Sequence, residues 1–140
     1  MESSEETWSG LSSNELGRYA RHLSLPEIGI KGQERLKKSS VLCIGSGGLG
    51  SPVLLYLAAV GVGKLGIVDF DVVEESNLQR QTIHSVEWLG EMKTSSAKDR
   101  ISKINPYCEV ETYDFKLNNN NAFKTLRGFD VVCDCTDNFP

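Results

Sequence analysis

Four consecutive apolar residues, Val41-Leu42-Cys43-Ile44, run straight into Gly45-Ser46-Gly47-Gly48-Leu49-Gly50, and this junction leaves the chain few folds to choose from. An uninterrupted apolar run of that length is the pattern of a strand buried on both faces, as the strands of a parallel sheet are. The spacing Gly45-x-Gly47-x-x-Gly50 then permits a tight turn and a close approach of backbone that Cβ atoms would block. Beyond it, Val53, Leu54, Leu57, Ala58 and Val60 predict an apolar helix, with Pro52 tolerated in its first turn and Gly61 available to end it. Strand, glycine turn and helix in that order direct backbone N–H groups and a helix dipole at one point, where a phosphate is held.

The rest of the chain repeats the alternation. Leu65 to Val68 reads as a second strand ending at Asp69, and Ala97, Ile101 and Ile104 mark a helix closed by Asn105-Pro106. Cys108 to Phe115 predicts a third strand, Asn119 to Leu126 a helix opening in an asparagine run, and Phe129 to Cys133 a fourth strand. Alternating strands and helices give an α/β fold with a Rossmann-like parallel sheet. One or two short helices precede it. Ser12-Ser13-Asn14-Glu15 has the form of a capping box, with Leu16, Tyr19 and Leu23 on one face behind it, and a second helix fits Gly32 to Lys38. Asp71 to Ser85 is irregular, polar and long enough to suspect function.

Residues 1–10 are polar and acidic and are expected to form a disordered tail, leaving 11–140 as the domain. The last residues, Asp134-Cys135-Thr136-Asp137-Asn138-Phe139-Pro140, fall where the loop after a strand should be building a site, so the domain is expected to be truncated. Its fourth strand should then be incompletely covered and the isolated piece poorly stable.

Composition narrows the function. A chain of 140 residues with 39% hydrophobic and 24% charged content suits one globular domain, and a net charge of -4 gives no general electrostatic ground for binding nucleic acid or a membrane surface. No early apolar run resembles a signal or a membrane span, so a cytoplasmic location is expected. Cys43, Cys108, Cys133 and Cys135 lack the paired Cys-x-x-Cys spacing of a zinc site and read as buried thiols. His22 and His84 stand apart from any serine or cysteine motif, which argues against acyl-group hydrolysis.

The candidate site begins at the glycine turn. Asp69, at the end of the second strand, can accept hydrogen bonds from both hydroxyls of a ribose, in NAD as well as in ATP. Asn77-Leu78-Gln79-Arg80-Gln81 and Lys93, near a helix start, add cations that a dinucleotide does not require and a triphosphate does. Asp134 and Asp137 follow a strand, where turn-forming aspartates are common and where Mg²⁺ is also held by one or two carboxylates plus phosphate oxygens. A carboxylate attacking an α-phosphate needs no general base, since an α-carboxyl group with a pKa of about 3.5 is ionised at pH 7.

In this order, Arg18-Tyr19-x-Arg21, Gly45 to Ser51, Asp69-Phe70-Asp71, Asn77 to Gln81, Lys93 and Asp134-Cys135-Thr136-Asp137-Asn138 resemble the MoeB/ThiF family, relatives of the ubiquitin-activating enzymes, most of all its bacterial MoeB-type molybdopterin-synthase adenylyltransferases. The resemblance runs from about Leu11 to Pro140. It implies ATP- and Mg-dependent adenylylation of the C-terminal glycine of a ubiquitin-like sulfur-carrier protein, MoaD-like by preference and ThiS- or Urm1-type as alternatives. It also implies site roles. Gly45, Gly47, Gly48 and Gly50 line the phosphates, Asp69 holds the ribose, Asp71 is a further cofactor-binding residue, Asn77, Arg80 and Lys93 contact the triphosphate, and Asp137 binds Mg²⁺. Arg21 matches the arginine that reaches into a partner subunit's site, which implies a homodimer. The zinc-binding Cys-x-x-Cys pairs, the crossover-loop cysteine and the rhodanese-like domain of family members are absent from this sequence, so zinc is expected only beyond it. Gly90-Glu91-Met92 before Lys93 departs from the commoner glutamine and proline. Two rival readings stand beside the enzyme: a NAD-binding dehydrogenase, and an inactive nucleotide-binding module.

Overall fold

The computed structural model describes residues 10–136. The expected tail lies almost wholly outside the described residues, as does Asp137. Four parallel strands form the sheet: β1 (Ser40–Ile44), β2 (Lys64–Val68), β3 (Glu109–Tyr113) and β4 (Val131–Asp134), in the order β3-β2-β1-β4. Connecting them are α4 (Gly50–Val60), α5 (Lys93–Ile104) and α6 (Ala122–Leu126), after three helices at the start, α1 (Ser13–Arg18), α2 (Ala20–Leu23) and α3 (Gly29–Lys38). The α/β Rossmann-like sheet is thus as the alternation predicts. Strand and helix ends fall a residue or more from the expected bounds, as ends governed by capping and pairing do.

The register explains the apolar runs. Val41 pairs with Leu65 and Cys43 with Ile67, so these four side chains share a face, and they pack with Leu54 and Ala58 of α4 and Ala97 and Ile101 of α5. On the other face Leu42 is fully buried, and Gly66 leaves room for the Phe129 ring: a Cβ at Gly66 would lie 2.4 Å from it. Burial on both faces is why β1 carries no polar residue between Val41 and Ile44. At the sheet edge β4 keeps Val131 51% and Val132 41% exposed.

A buried polar network fixes the N-terminal helices to the sheet layer. Gly61, at φ 101°, ends α4 in the left-handed conformation, and it leaves space for Gln33 and Tyr19. The Gln33 amide donates to the Val60 carbonyl at 2.8 Å, while the Asn105 amide donates both to the Tyr19 hydroxyl at 2.7 Å and to the Ala58 carbonyl at 2.8 Å. Tyr19 is the reason the first helix differs from expectation. The periodicity of Leu16, Tyr19 and Leu23 predicts one continuous helix, but Tyr19 takes φ -100° and ψ 18° between α1 and α2. The packing and hydrogen bonding of its ring, contacts remote in sequence, outweigh local helix propensity.

The capping box at α1 is formed: the Glu15 N–H donates to Ser12 Oγ at 3.1 Å and the Ser12 N–H to Glu15 Oε1 at 3.0 Å. Lys37 of α3 adds an ion pair at 2.6 Å. Burial alone raises the Glu15 carboxyl, but the Lys37 hydrogen bond, the Ser12 amide and the Lys37 charge together hold it below the usual carboxylate range. Its stabilisation is therefore complete above the unfolded-state value of about 4.3 and is lost as pH falls through the lower folded-state value. Glu15→Gln is expected to cost about 1 kcal/mol at pH 7, with the difference from the parent vanishing toward pH 3; urea unfolding across that range measures both.

Candidate nucleotide-binding site

A cavity of about 520 Å³ opens at the C-terminal ends of the strands. Ile44 and Gly45 enter it from the end of β1, Val68 to Asp71 from β2, Phe115 to Leu117 from beyond β3, and Cys135 and Thr136 from beyond β4. Asn77, Arg80, Gln81 and Lys93 close its remaining side. This is the crevice where open α/β sheets bind ligands, created because parallel strands all deliver their following loops to one edge.

The glycine turn is built by exclusion. Gly45 sits at φ 97° with its N–H on the Val68 carbonyl at 2.8 Å, and a Cβ there would lie 2.9 Å from the Cys135 carbonyl oxygen. A Cβ on Gly50 would lie only 2.2 Å from the Gly45 carbonyl oxygen, so the turn closes on itself. Gly48 is less constrained and lies against the Arg80 side chain. Among the described residues the N–H groups of Gly47 and Gly48 have no backbone hydrogen bond, leaving them as donors beside the start of α4.

Asp69 holds this turn. Its Oδ2 accepts from the Ser46 N–H and from Ser46 Oγ, both at 2.9 Å, and its Oδ1 accepts from the Asp71 N–H at 3.0 Å. Three of the carboxylate's four acceptor positions are therefore occupied by the protein. Beyond these three bonds one acceptor position, on Oδ1, is left.

His84, read from the sequence as isolated, is buried beneath the turn. A carbonyl only accepts, so the bond of 3.1 Å to the Ser46 carbonyl places the proton on Nε2, and Nδ1 accepts from Ser96 Oγ at 2.7 Å. Burial, with the Lys93 charge nearby, holds the ring's pKa below its ordinary value against the opposing Ser46 carbonyl and Asp69, so the ring is neutral. No motif signals this role, because the partners lie 38 and 12 residues away.

The cations gather on one side. Lys93 opens α5, its N–H on the Asp71 carbonyl at 3.0 Å; its side chain is 6% exposed and forms no ion pair among the described residues. Arg80 is exposed over Gly48, with a long bond of 3.4 Å to the Ser76 carbonyl. Asn77 receives the Glu74 N–H on Oδ1 at 3.1 Å, which leaves its amide donors for the cavity. Lys116, which the sequence did not single out, adds a further cation, and Phe70, Phe115 and Leu117 supply apolar surface. Of the expected residues, the cavity wall includes Gly45, Asp69, Asp71, Asn77, Arg80 and Lys93, but not Gly47, Gly48 or Gly50. Arg21 lies elsewhere, exposed on α2, and Asp137 lies outside the described residues.

An apolar wall, an aspartate and converging cations beside a glycine turn make this a candidate nucleotide site on an α/β domain of the Rossmann class. The chain belongs to the ThiF family, whose model matches residues 19–140. It is 54% identical over 134 residues to the probable adenylyltransferase/sulfurtransferase MoeZ of Mycobacterium tuberculosis, covering 96% of this chain and 34% of that protein. It is 49% identical over 129 residues to the sulfur carrier protein adenylyltransferase of Thermus thermophilus, covering 92% of this chain and 48% of the relative. Among solved structures, E. coli tRNA N6-threonylcarbamoyladenosine dehydratase, TcdA, in complex with ATP superposes with a TM-score of 0.85 at 27% identity, over 91% of this chain and 52% of that one. The chain thus spans between a third and a half of the length of these curated relatives.

Two expected outcomes test the turn. Gly50→Ala drives a Cβ into backbone and should cost about 2 kcal/mol or more, whereas Gly48→Ala meets only ordinary contacts and should stay within about 0.5 kcal/mol in thermal unfolding. His84→Phe leaves the buried Ser96 hydroxyl without its acceptor and the Ser46 carbonyl with only the 3.3 Å bond from Ser51 Oγ, and should cost about 1–3 kcal/mol at pH 7.5. Because the folded-state pKa of His84 is depressed, the parent itself loses stability as pH falls through about 6.5, where only the unfolded chain takes up the proton. The gap between the two proteins should narrow by pH 5.5 in urea titrations.

Proposed function

We propose that this domain belongs to an adenylyltransferase that activates the C-terminal glycine of a ubiquitin-like sulfur-carrier protein with ATP. The observation that carries the proposal is Lys93, a residue 6% exposed that makes no ion pair among the described residues, in the same cavity as Arg80, Asn77 and the glycine turn. A cation that faces a cavity beside Arg80, with no counter-charge among the described residues, suits an anionic ligand. Three cations, Arg80, Lys93 and Lys116, exceed what a dinucleotide pyrophosphate needs and suit a triphosphate. This favours ATP over the NAD-dehydrogenase reading.

In the proposed reaction an oxygen of the already ionised glycine carboxylate attacks the α-phosphorus, the bond to the β-phosphate oxygen breaks, and pyrophosphate departs. Lys93 and Arg80 offset the charge that accumulates on the leaving group, the Gly47 and Gly48 N–H groups orient the phosphates, and Asp69 keeps the turn in place. The exposed Asp71 carboxylate on the cavity wall is an oxygen donor of the kind Mg²⁺ takes, and Asp137 is proposed as its further ligand; bound with ATP, the ion would neutralise phosphate charge. The relatives' names support a sulfur carrier as the substrate. A MoaD-like carrier in molybdopterin synthesis is proposed from the sequence resemblance, with ThiS- or Urm1-type carriers as the alternatives. Arg21, exposed and not part of this chain's own cavity wall, is proposed to complete the site of a second subunit.

The test is carrier-dependent ATP–pyrophosphate exchange by the full-length protein. Lys93→Ala is expected to lower exchange by about a hundredfold or more, as removal of a preorganised charge does. Arg21→Ala should be equally impaired alone, and mixing the two variants should restore part of the activity. Exchange that survives Lys93→Ala at the parent rate would remove the basis of the assignment, and failure of mixing at every ratio would remove the composite site.

A further inference from the structure

Gln81 contributes to the cavity wall although its side chain is 2% exposed, and its Oε1 is a buried acceptor without a hydrogen-bond partner. Its backbone is fixed on both sides: its N–H bonds the Asn77 carbonyl at 2.9 Å and its own carbonyl accepts from the His84 N–H at 3.1 Å. The side chain therefore stands on the same short segment as Asn77 and Arg80, anchored next to the residue that braces the glycine turn. A buried acceptor left unsatisfied costs about 1–3 kcal/mol, and such a cost is recovered when a ligand brings the donor.

Phosphate oxygens of a nucleotide are acceptors and cannot satisfy Oε1. The ribose hydroxyls are O–H donors, and Asp69 has one acceptor position left for the two of them. We infer that Gln81 is a nucleotide-contact residue whose Oε1 accepts a hydrogen bond from an O–H of the bound nucleotide complex, a ribose hydroxyl sharing the sugar with Asp69. This deepens the ATP-binding reading and rests on it. A metal-bound water is the other O–H source with the same chemistry, and the test separates the two.

Calorimetric titration of the full chain with ATP, 2′-deoxy-ATP and 3′-deoxy-ATP, with and without Mg²⁺, compares the parent with Gln81→Met, which keeps the length and removes the acceptor. Without nucleotide the variant should melt at the parent temperature or higher, because an unsatisfied buried oxygen has been removed. Its Kd for ATP should rise about tenfold, equivalent to about 1.4 kcal/mol. The analogue lacking the contacted hydroxyl should bind parent and variant alike, the coupling expected when two changes remove one interaction. If the loss instead persists for both deoxy analogues and disappears without Mg²⁺, the donor is metal-bound water and the contact stands. Parent-like ATP affinity in the variant overturns the inference while leaving the ATP site intact, and absence of ATP binding by the parent overturns both. A lower melting temperature without nucleotide, in Gln81→Met and in Gln81→Leu alike, identifies Gln81 as a structural acceptor and also overturns it.

Discussion

Two hydrogen bonds of 2.9 Å, from the Ser46 N–H and hydroxyl to one oxygen of Asp69, hold the candidate site together. They join the end of β2 to the turn after β1, and the other oxygen extends the tether to Asp71, whose carbonyl receives the N–H of Lys93. Glycine turn, cavity floor and the buried cation are thus connected through one carboxylate that is 8% exposed. His84 closes the arrangement from below by bonding the Ser46 carbonyl. Charge-assisted bonds of this kind are stronger than neutral ones, and at a buried turn they keep the glycines, which have little conformational preference of their own, in a single shape.

The sheet makes this economy possible. Parallel strands with both faces covered need apolar side chains throughout, so polar chemistry is pushed to their C-terminal ends. All four strands deliver a loop to the same cavity, and a cluster of buried apolar residues from β1, β2, α4 and α5 gives the loops a rigid base. The N-terminal helices are tied to that base through Gln33, Tyr19 and Asn105. Arg21, exposed on α2, is therefore carried on a helical layer anchored to the sheet.

Much of this is legible along the chain wherever the governing interaction is local. The Val41–Ile44 run, the glycine spacing, the α1 capping box and the Gly61 terminus each depend on neighbours within a few residues, and each is found in the structure. The partition of α1 and α2 at Tyr19 is not legible, because it follows from a hydroxyl bond to Asn105, 86 residues away. Lys116 escaped notice for a related reason: no motif surrounds it, and only the end of β3 beside β2 brings it to the cavity.

The order of apolar runs, glycines and caps determined by itself an α/β chain with a nucleotide-type turn after its first strand, since backbone sterics and two-sided burial act on contiguous residues. Tertiary structure alone decided how the site's atoms are spent. It showed that Asp69 gives three acceptor positions to the protein, that His84 is a neutral brace, and that Lys93 and Gln81 are buried in the cavity without a counter-charge or hydrogen-bond partner for Nζ or Oε1 among the described residues. Burial and hydrogen-bond saturation are properties of what surrounds an atom in space, and residue order does not specify that surrounding until the sheet has assembled it.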